Sequence, residues 1–235
     1  NLHHKLRGVL LRDELKPLTK RLPKGSEIID FGAGDGAVSE TLRDMNFKIS
    51  ALDRYPQSEW PHPGIEYQQA EINSPLPPYG PPGIDPTTRA VVMRHVVEHL
   101  YDPVRILSSM RYADVKYIMI VTPNYDSMMR PLLGESWYYW DPPRHLTYFN
   151  KRSLYCLAER CGYKLVETTT YAVDEIVTSL HRRLLLNSTS AQSEMIRRII
   201  RLTDPKSPLA AISSVVASFF GNCMVHGILE RYKQH

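Results

Sequence analysis

The sequence predicts an α/β fold built on a largely parallel, doubly wound β-sheet. Short apolar runs recur along the 235 residues, and several are nearly continuous, as expected for strands that are covered on both faces. Helical patterns separate the runs, and strands that alternate with helices favour parallel pairing. The predicted strands are Glu27–Phe31, Lys48–Asp53, Ile65–Ile72, Arg89–Met93, Val115–Thr122, Lys164–Thr170 and Cys223–Arg231.

The first two helices are predicted from apolar periodicity. Leu2–Leu22 places leucine and valine side chains roughly on one face, and Pro17 is expected to bend or end this helix. Ala37–Met45 follows a glycine-rich loop directly after the first strand. A strand, a glycine loop and a helix in this order are typical of nucleotide-binding α/β proteins.

The next two helices are predicted from their start signals. Asp102 and Pro103 form an N-cap and a first helical position, which predicts a helix over Val104–Tyr112. Asn150 is a second N-cap and predicts a helix over Lys151–Cys161. Both helices lie between predicted strands, as the alternating pattern requires.

Two segments interrupt the alternation. Asn73–Thr88 is rich in proline, so we expect a stiff surface loop there. Residues 174–221 form a predicted insert before the last strand, with candidate helices at Ala191–Leu202 and Leu209–Phe220. The second of these helices is apolar nearly all round and has basic neighbours. It could serve as a lid, as a dimer contact or as an interfacial membrane contact. We expect residues 1–235 to form a single domain that contains this insert.

The composition is that of a soluble globular protein, with 43% hydrophobic and 23% charged residues. A net charge of +4 and a pI near 8.9 are only mildly basic, so we expect no nucleic-acid partner. The three cysteines lack C-x-x-C spacing, which argues against a disulfide framework or a zinc site and favours a reducing compartment. The sequence contains no apolar run of the roughly 18 residues that a membrane span needs. We therefore expect a cytoplasmic location.

The segment IIDFGAGDG at residues 28–36 raises the question of which ligand the loop binds. Gly32, Gly34 and Ala37 satisfy the loose Gly-x-Gly-x-x-Gly/Ala fingerprint of dinucleotide sites. Asp30 and Asp35 lie beside and inside the loop, and they would repel a pyrophosphate because like charges at close range are costly in a partly dry site. The glycines alone do not identify the ligand, whereas the aspartates disfavour a diphosphate.

Two further acidic residues lie at the ends of predicted strands. Asp53 ends the second strand, where an acid that binds ribose hydroxyls is expected, and Glu71 lies in the third near its end. The carboxyl ends of parallel strands meet at one edge of a sheet, where ligands bind. A ligand with a ribose, an adenine and a cationic tail suits these carboxylates. S-Adenosylmethionine has all three, together with a sulfonium that carries the methyl group.

Four segments, in this order, resemble the successive motifs of class I S-adenosylmethionine-dependent methyltransferases. They are Asp30–Gly36 (DFGAGDG), Ala51–Asp53 (ALD), Ala70–Ile72 (AEI) and His95–Pro103 (HVVEHLYDP). The most similar subgroup contains small-molecule enzymes related to ubiquinone-type and sugar methyltransferases. A further segment, Asp141–Phe149 (DPPRHLTYF), also resembles the sequence of that subgroup. The resemblance covers roughly residues 20–171 and the last strand. It implies a Rossmann-like, seven-stranded sheet with one antiparallel strand, Cys223–Arg231.

The resemblance also implies the cofactor, S-adenosylmethionine, and the residues that bind it. In the family pattern the third motif usually ends in Asp, whereas this sequence has Glu, whose longer side chain could still reach the adenine amino group. For His95, which directly follows the buried fourth strand, a structural role is favoured over a catalytic one. The implied set is Asp30, Gly32 and Gly34 for the methionine part, Asp53 for the ribose hydroxyls, Arg54 beside the adenine, Glu71 and Ile72 for the adenine, and His95.

Two histidines are predicted to be catalytic. Methyl transfer is an in-line displacement that depends mainly on alignment, but a hydroxyl acceptor benefits from a general base, usually His. We predict His145, in the Asp141–Phe149 loop, and His99 for this role, with a purely loop-fixing hydrogen bond as the alternative for His145. The quinone-type resemblance suggests a metal on Glu98 and His99, but two ligands do not make a site, so we predict no metal. The aromatic run 137–140 could line an acceptor pocket or simply pack.

These patterns predict an enzyme that transfers a methyl group from S-adenosylmethionine to a small-molecule acceptor. The favoured acceptor atom is a hydroxyl oxygen of a sugar, a quinone-like compound or a lipid-linked precursor, and basic residues near the insert would suit an anionic acceptor. A homodimer and a peripheral membrane contact through residues 207–221 are further expectations. The alternatives are an NAD(P)-dependent oxidoreductase and a non-catalytic cofactor-binding subunit.

Overall fold

The computed structural model describes residues 2–76, 89–171 and 224–232, without the side chains of residues 2–7 and 171. Seven strands form one sheet in this part of the chain. The strands are β1 (Glu27–Phe31), β2 (Lys48–Asp53), β3 (Glu66–Gln69), β4 (Ala90–Arg94), β5 (Tyr117–Pro123), β6 (Tyr163–Tyr171) and β7 (Met224–Arg231).

The sheet has the order β3-β2-β1-β4-β5-β7-β6. Strands β1 to β5 pair in parallel, whereas β7 pairs antiparallel with both β5 and β6. β6 therefore runs in the same direction as the first five strands, and β7 is the single antiparallel strand. The predicted doubly wound, mostly parallel sheet of seven strands is confirmed.

The predicted third strand is too long. β3 ends at Gln69, because Ala70 makes the last main-chain bond to the neighbouring strand, from its N–H to the Asp53 carbonyl at 2.8 Å. The chain then turns, and the Ser74 N–H donates to the Glu71 carbonyl at 2.9 Å. Glu71 and Ile72 consequently lie in a turn beyond the strand rather than within it.

Five α-helices are described, and the two predicted N-caps are confirmed. The Asp102 and Asn150 side chains accept hydrogen bonds from the N–H groups of Arg105 and Ser153, at 2.9 and 2.8 Å. The first helix contains Pro17 and ends at Thr19, three residues earlier than predicted. The helices are α1 (Leu2–Thr19), α2 (Ala37–Asp44), α3 (Pro103–Tyr112), α4 (Met129–Leu133) and α5 (Lys151–Arg160).

Helices cover both faces of the sheet. One apolar core joins the sheet to α1 and α2, including Leu15 and Leu42. The other joins the opposite face to α3 and α5, including Leu107 and Leu154. Alternate side chains of each central strand pack into one core or the other. Both faces of these strands are therefore buried, and their sequences are continuous apolar runs.

A buried ion pair lies at the amino-terminal edge of the central strands. The Arg89 Nε donates to Glu27 Oε2 at 2.6 Å, and Arg89 also donates to the Ala113 carbonyl at 2.8 Å. Both charged side chains are buried. This edge is opposite to the one where ligands bind in such sheets, so we regard the pair as structural.

Several predicted features lie outside the described residues. They include most of the proline-rich loop, at residues 77–88, and the whole insert at 174–221 with its two candidate helices. Within the ranges that the structure does describe, no helix is sufficiently long and apolar to cross a membrane.

Candidate functional site

A cavity of about 760 Å³ opens at the carboxyl ends of β1, β2 and β4. Every residue predicted to bind the cofactor borders it, although the chain reaches Glu71 and Ile72 by a turn rather than a strand. His99 borders it as well. The predicted residues brought together on its wall are Asp30, Gly32, Gly34, Asp53, Arg54, Glu71, Ile72, His95 and His99.

The glycine loop after β1 is held close to its neighbours. Gly32 has φ +80°, and a Cβ at this position would lie 2.4 Å from a methyl carbon of Val96. The Gly32 and Ala33 N–H groups both donate to the Leu52 carbonyl, at 2.8 and 3.0 Å. A side chain at Gly32 would therefore be strained by its backbone and would clash with its neighbour.

Asp53 connects the glycine loop to β2. Its Oδ2 accepts a hydrogen bond from the Gly34 N–H at 2.8 Å, and its Oδ1 accepts one from the Arg54 N–H at 2.7 Å. Each carboxylate oxygen can accept further bonds. The side chain is thus fixed before any ligand binds, with acceptor capacity directed to the cavity that it borders.

Asp30 is 2% exposed, and its Oδ2 accepts a hydrogen bond from the Ser39 hydroxyl at 2.6 Å. Burial, opposed by the hydrogen bonds from Ser39, raises the pKa of Asp30 to about 6. The charge of Asp53 raises it further, and that of Arg94 lowers it. A carboxylate buried in this way favours a cationic ligand group, because such a group offsets the cost of its charge.

The turn after β4 contains His95 and Glu98, two residues that the sequence had already singled out. His95 adopts a left-handed φ of +57°, which is uncommon for a residue other than glycine. Its Nδ1 lies 3.3 Å from Oε1 of Glu98, which is 1% exposed, and Oε2 accepts from the Thr122 hydroxyl at 2.9 Å. Burial alone would raise the pKa of Glu98, but the hydrogen bond and charge of His95 lower it. The lowered pKa favours the ionised form of Glu98.

His99 and His145 form a second pair, with ring centroids 4.8 Å apart. His99 Nδ1 lies 2.8 Å from the Arg144 carbonyl, and His145 Nδ1 lies 2.9 Å from the Tyr139 carbonyl. Because a carbonyl only accepts, each Nδ1 carries the proton, and each neutral ring keeps its lone pair at Nε2. Burial lowers the pKa of His145, which favours its neutral form.

The loop that contains His145 is fastened to the turn that contains His99. The N–H groups of Leu146 and Thr147 donate to the Glu98 carbonyl, at 2.8 and 3.3 Å. Pro143, Arg144 and Leu146 border the cavity, so this loop forms part of its wall. The structure therefore brings together two histidines that are far apart in the chain.

One group of side chains could also hold a metal ion. Glu98, His99 and His145 each offer a donor atom, and these atoms lie within 4.8 Å of one another. Two imidazoles and a carboxylate suit a divalent transition metal. The third residue comes from the Asp141–Phe149 loop, and the sequence prediction that no metal is bound stays a prediction.

The aromatic run 137–140 contributes mainly to packing. Trp137 is fully buried and contacts Tyr139, Trp140 and Tyr148 with ring centroids 5.3 to 6.3 Å apart. A second cavity of about 750 Å³ lies against this cluster, bordered by Trp140 and Tyr148 together with Arg130. The aromatic side chains thus support the wall behind the His145 loop.

The sequence matches the family model described as a methyltransferase domain over residues 2–168. The match covers more than half of the chain and includes the glycine loop, all the predicted cofactor residues and both histidines. The chain belongs to the methyltransferase domain family.

Solved structures show the same fold. A SAM-dependent methyltransferase from Archaeoglobus fulgidus is 20% identical, with 95% of this chain and 94% of that chain covered and a TM-score of 0.58. The YcgJ protein from Bacillus subtilis is 13% identical, with 98% and 100% covered and a TM-score of 0.53. A Haemonchus contortus phosphoethanolamine N-methyltransferase 2 in complex with S-adenosyl-L-methionine is 10% identical, with 94% and 53% covered and a TM-score of 0.52. No curated protein matches the sequence significantly.

The methyltransferase uses S-adenosylmethionine as its methyl donor, in agreement with the predicted motifs and with the acidic cavity at the strand ends. The alternatives of a nicotinamide-dependent oxidoreductase and of a non-catalytic subunit are therefore dropped. The family model does not distinguish the ubiquinone-type and sugar subgroup from other members.

Proposed function

We propose that this methyltransferase transfers the methyl group to a hydroxyl oxygen of a small-molecule acceptor, such as a sugar, a quinone-like compound or a lipid-linked precursor. The observation that carries the proposal is the pair of His99, which borders the cavity, and His145, whose ring lies next to that of His99. Both rings are anchored through Nδ1 to backbone carbonyls, so the opposite nitrogens can accept a proton. A hydroxyl nucleophile needs such an acceptor more than an amine does.

The cofactor roles follow from the carboxylates around the cavity. Asp30 pairs with the ammonium of the methionine end, and Asp53 binds the two ribose hydroxyls with acceptor capacity that the backbone N–H groups leave unused. Glu71 and Ile72, with Arg54 beside them, border the adenine. Together these residues would hold the cofactor beside the end of β4, where His95 and His99 line the cavity wall.

The proposed reaction is a direct displacement. The acceptor oxygen attacks the methyl carbon, the bond between that carbon and the sulfonium sulfur breaks, and S-adenosylhomocysteine leaves. The hydroxyl proton passes to the Nε2 atom of one of the two histidines. His99 borders the cavity, and the His145 ring lies next to it. A positioned general base contributes about 10²–10⁴-fold to such a step, and alignment of the acceptor contributes the rest.

An anionic acceptor is part of the proposal. Arg144 borders the cavity from the His145 loop, and its side chain is 73% exposed although it pairs with Asp141. A carboxylate or phosphate on the acceptor could compete for this guanidinium. The homodimer and the membrane contact through residues 207–221 stay predictions, because the segment concerned lies outside the described residues.

The test is turnover of an acceptor panel by the wild type, His99→Ala, His145→Ala and the double variant. We expect kcat to fall about 10²-fold or more in the single variant that removes the base, and also in the double variant. Cofactor affinity should stay nearly unchanged. Added imidazole should restore part of the lost rate, which a loop-fixing role would not allow. Wild-type rates in all three variants would contradict the proposed base, and methyl transfer confined to amines or carbon acids would contradict the hydroxyl acceptor.

A further inference from the structure

An ion pair connects the first helix to the cofactor cavity. Arg94, the last residue of β4, donates from Nε to Glu14 Oε1 of α1 at 2.7 Å. The Glu14 side chain is buried, and that of Arg94 is partly buried. Leu11, one turn before Glu14, borders the cavity together with Arg94. Helix α1 is therefore part of the wall of the cofactor cavity.

Arg94 and Asp30 project from the same face of the sheet. β1 and β4 are parallel neighbours, and Asp30 lies opposite Val92 in the register. Side chains alternate along a strand, so Arg94 points to the same side as Val92 and hence as Asp30. Both residues border the cavity. A guanidinium and a buried carboxylate thus face the same region of the site.

The methionine end of the cofactor has opposite charges on one carbon, an ammonium and a carboxylate. Asp30 suits the ammonium, but a ligand carboxylate placed near Asp30 and Asp53 would be repelled unless a cation also contacts it. Arg54 follows β2 on the ribose side, and Arg144 belongs to the acceptor loop. Arg94 is the cavity arginine on the face of Asp30. A planar guanidinium with several donors matches the geometry of a carboxylate.

We propose that Arg94 binds the carboxylate of the cofactor and that Glu14 positions its guanidinium from α1. The two ends of the zwitterion are then recognised by side chains of adjacent strands, the ammonium by β1 and the carboxylate by β4. This inference concerns the cofactor alone, so its failure would leave the proposed hydroxyl acceptor untouched, and the reverse also holds.

The experiment is calorimetric titration with three ligands that differ at the amino-acid end. S-Adenosylhomocysteine has both charged groups, its decarboxylated analogue retains only the amine, and 5′-methylthioadenosine lacks both. We expect Arg94→Gln to weaken binding of S-adenosylhomocysteine by about 10- to 100-fold, the value of a charge-assisted contact. Binding of the other two ligands should change by less than about threefold, since the contact is absent from them.

Three further variants complete the test. Arg12→Gln breaks another ion pair of α1, with Asp44 at 3.9 Å, outside the cavity, and should change none of the three affinities. Glu14→Ala should weaken only the carboxylate-bearing ligand, and Glu14→Gln, whose amide oxygen still accepts from Nε, should restore it. If Arg94→Gln does not fold, the two Glu14 variants decide by the same comparison of ligands.

Two results would overturn the inference. Equal weakening of all three ligands by Arg94→Gln would mean that Arg94 only holds α1 in place. Unchanged binding of S-adenosylhomocysteine would mean that the carboxylate lies elsewhere. In either case the affinity ratio between S-adenosylhomocysteine and its decarboxylated analogue would be the same in the variant as in the wild type.

Discussion

Replacing Asp53 with alanine should abolish tight cofactor binding. The carboxylate is the group proposed to bind both ribose hydroxyls, and each charge-assisted hydrogen bond contributes about 1.5–3 kcal/mol. Loss of both bonds should therefore cost at least about 3 kcal/mol, or roughly 150-fold in Kd. The same carboxylate accepts the Gly34 and Arg54 N–H groups at 2.8 and 2.7 Å, so the glycine loop also loses its anchor.

Calorimetric titration with S-adenosylhomocysteine measures the loss directly, and thermal unfolding without ligand measures the cost of the lost anchor. Asp44→Ala is the matched control, because Asp44 is an exposed acid at the end of α2. It should change neither quantity appreciably. A Kd for Asp53→Ala within about threefold of the wild type would mean that the carboxylate does not contact the ligand.

Three other predictions concern buried charges. Because the pKa of Asp30 is raised from 3.8 to about 6, the ligand-free protein should lose up to about 3 kcal/mol of stability as the pH rises from below 4 through 6. Asp30→Asn should flatten this decline in chemical unfolding, and an unchanged pH profile would contradict the assignment. Affinity for S-adenosylhomocysteine should in turn fall below pH 6, where Asp30 is protonated, and a flat affinity between pH 5 and 8 would count against its pairing with the ammonium. Glu27→Ala leaves Arg89 buried without its carboxylate, so denaturant unfolding should show a loss of about 3–5 kcal/mol, with cofactor affinity of the folded fraction preserved; a loss below about 1 kcal/mol would show that water reaches the pair.

The secondary structure could be predicted well from the sequence where local signals are strong. β1 and β2 have their predicted bounds, because each is a compact apolar run between turn residues. The Asp102 and Asn150 caps were predictable because an N-cap acts within three residues of itself. The end of β3 was not, since its length depends on how far the neighbouring strand offers main-chain partners.

The candidate site also contains residues that could be predicted from the sequence and contacts that could not. Asp30 and Asp53 could be predicted because parallel strands end at one edge, so position in the strand is also position in the site. The contact between His99 and His145 could not, because it depends on how one loop folds over another. The pair of Glu14 and Arg94 has no sequence signal either, since a charged residue on an amphipathic helix ordinarily indicates solvent exposure.

The proposed reaction is the transfer of a methyl group from S-adenosylmethionine to a hydroxyl oxygen in this cavity. It can be tested by carbon NMR of the products formed when the wild type is given S-adenosylmethionine with a ¹³C-labelled methyl group and a panel of hydroxyl, amine and carbon acceptors. We expect a labelled O-methyl signal that appears together with S-adenosylhomocysteine and is lost in Asp53→Ala. Label found only on nitrogen or carbon acceptors would contradict the hydroxyl acceptor, and an O-methyl product made equally well by Asp53→Ala would contradict the site.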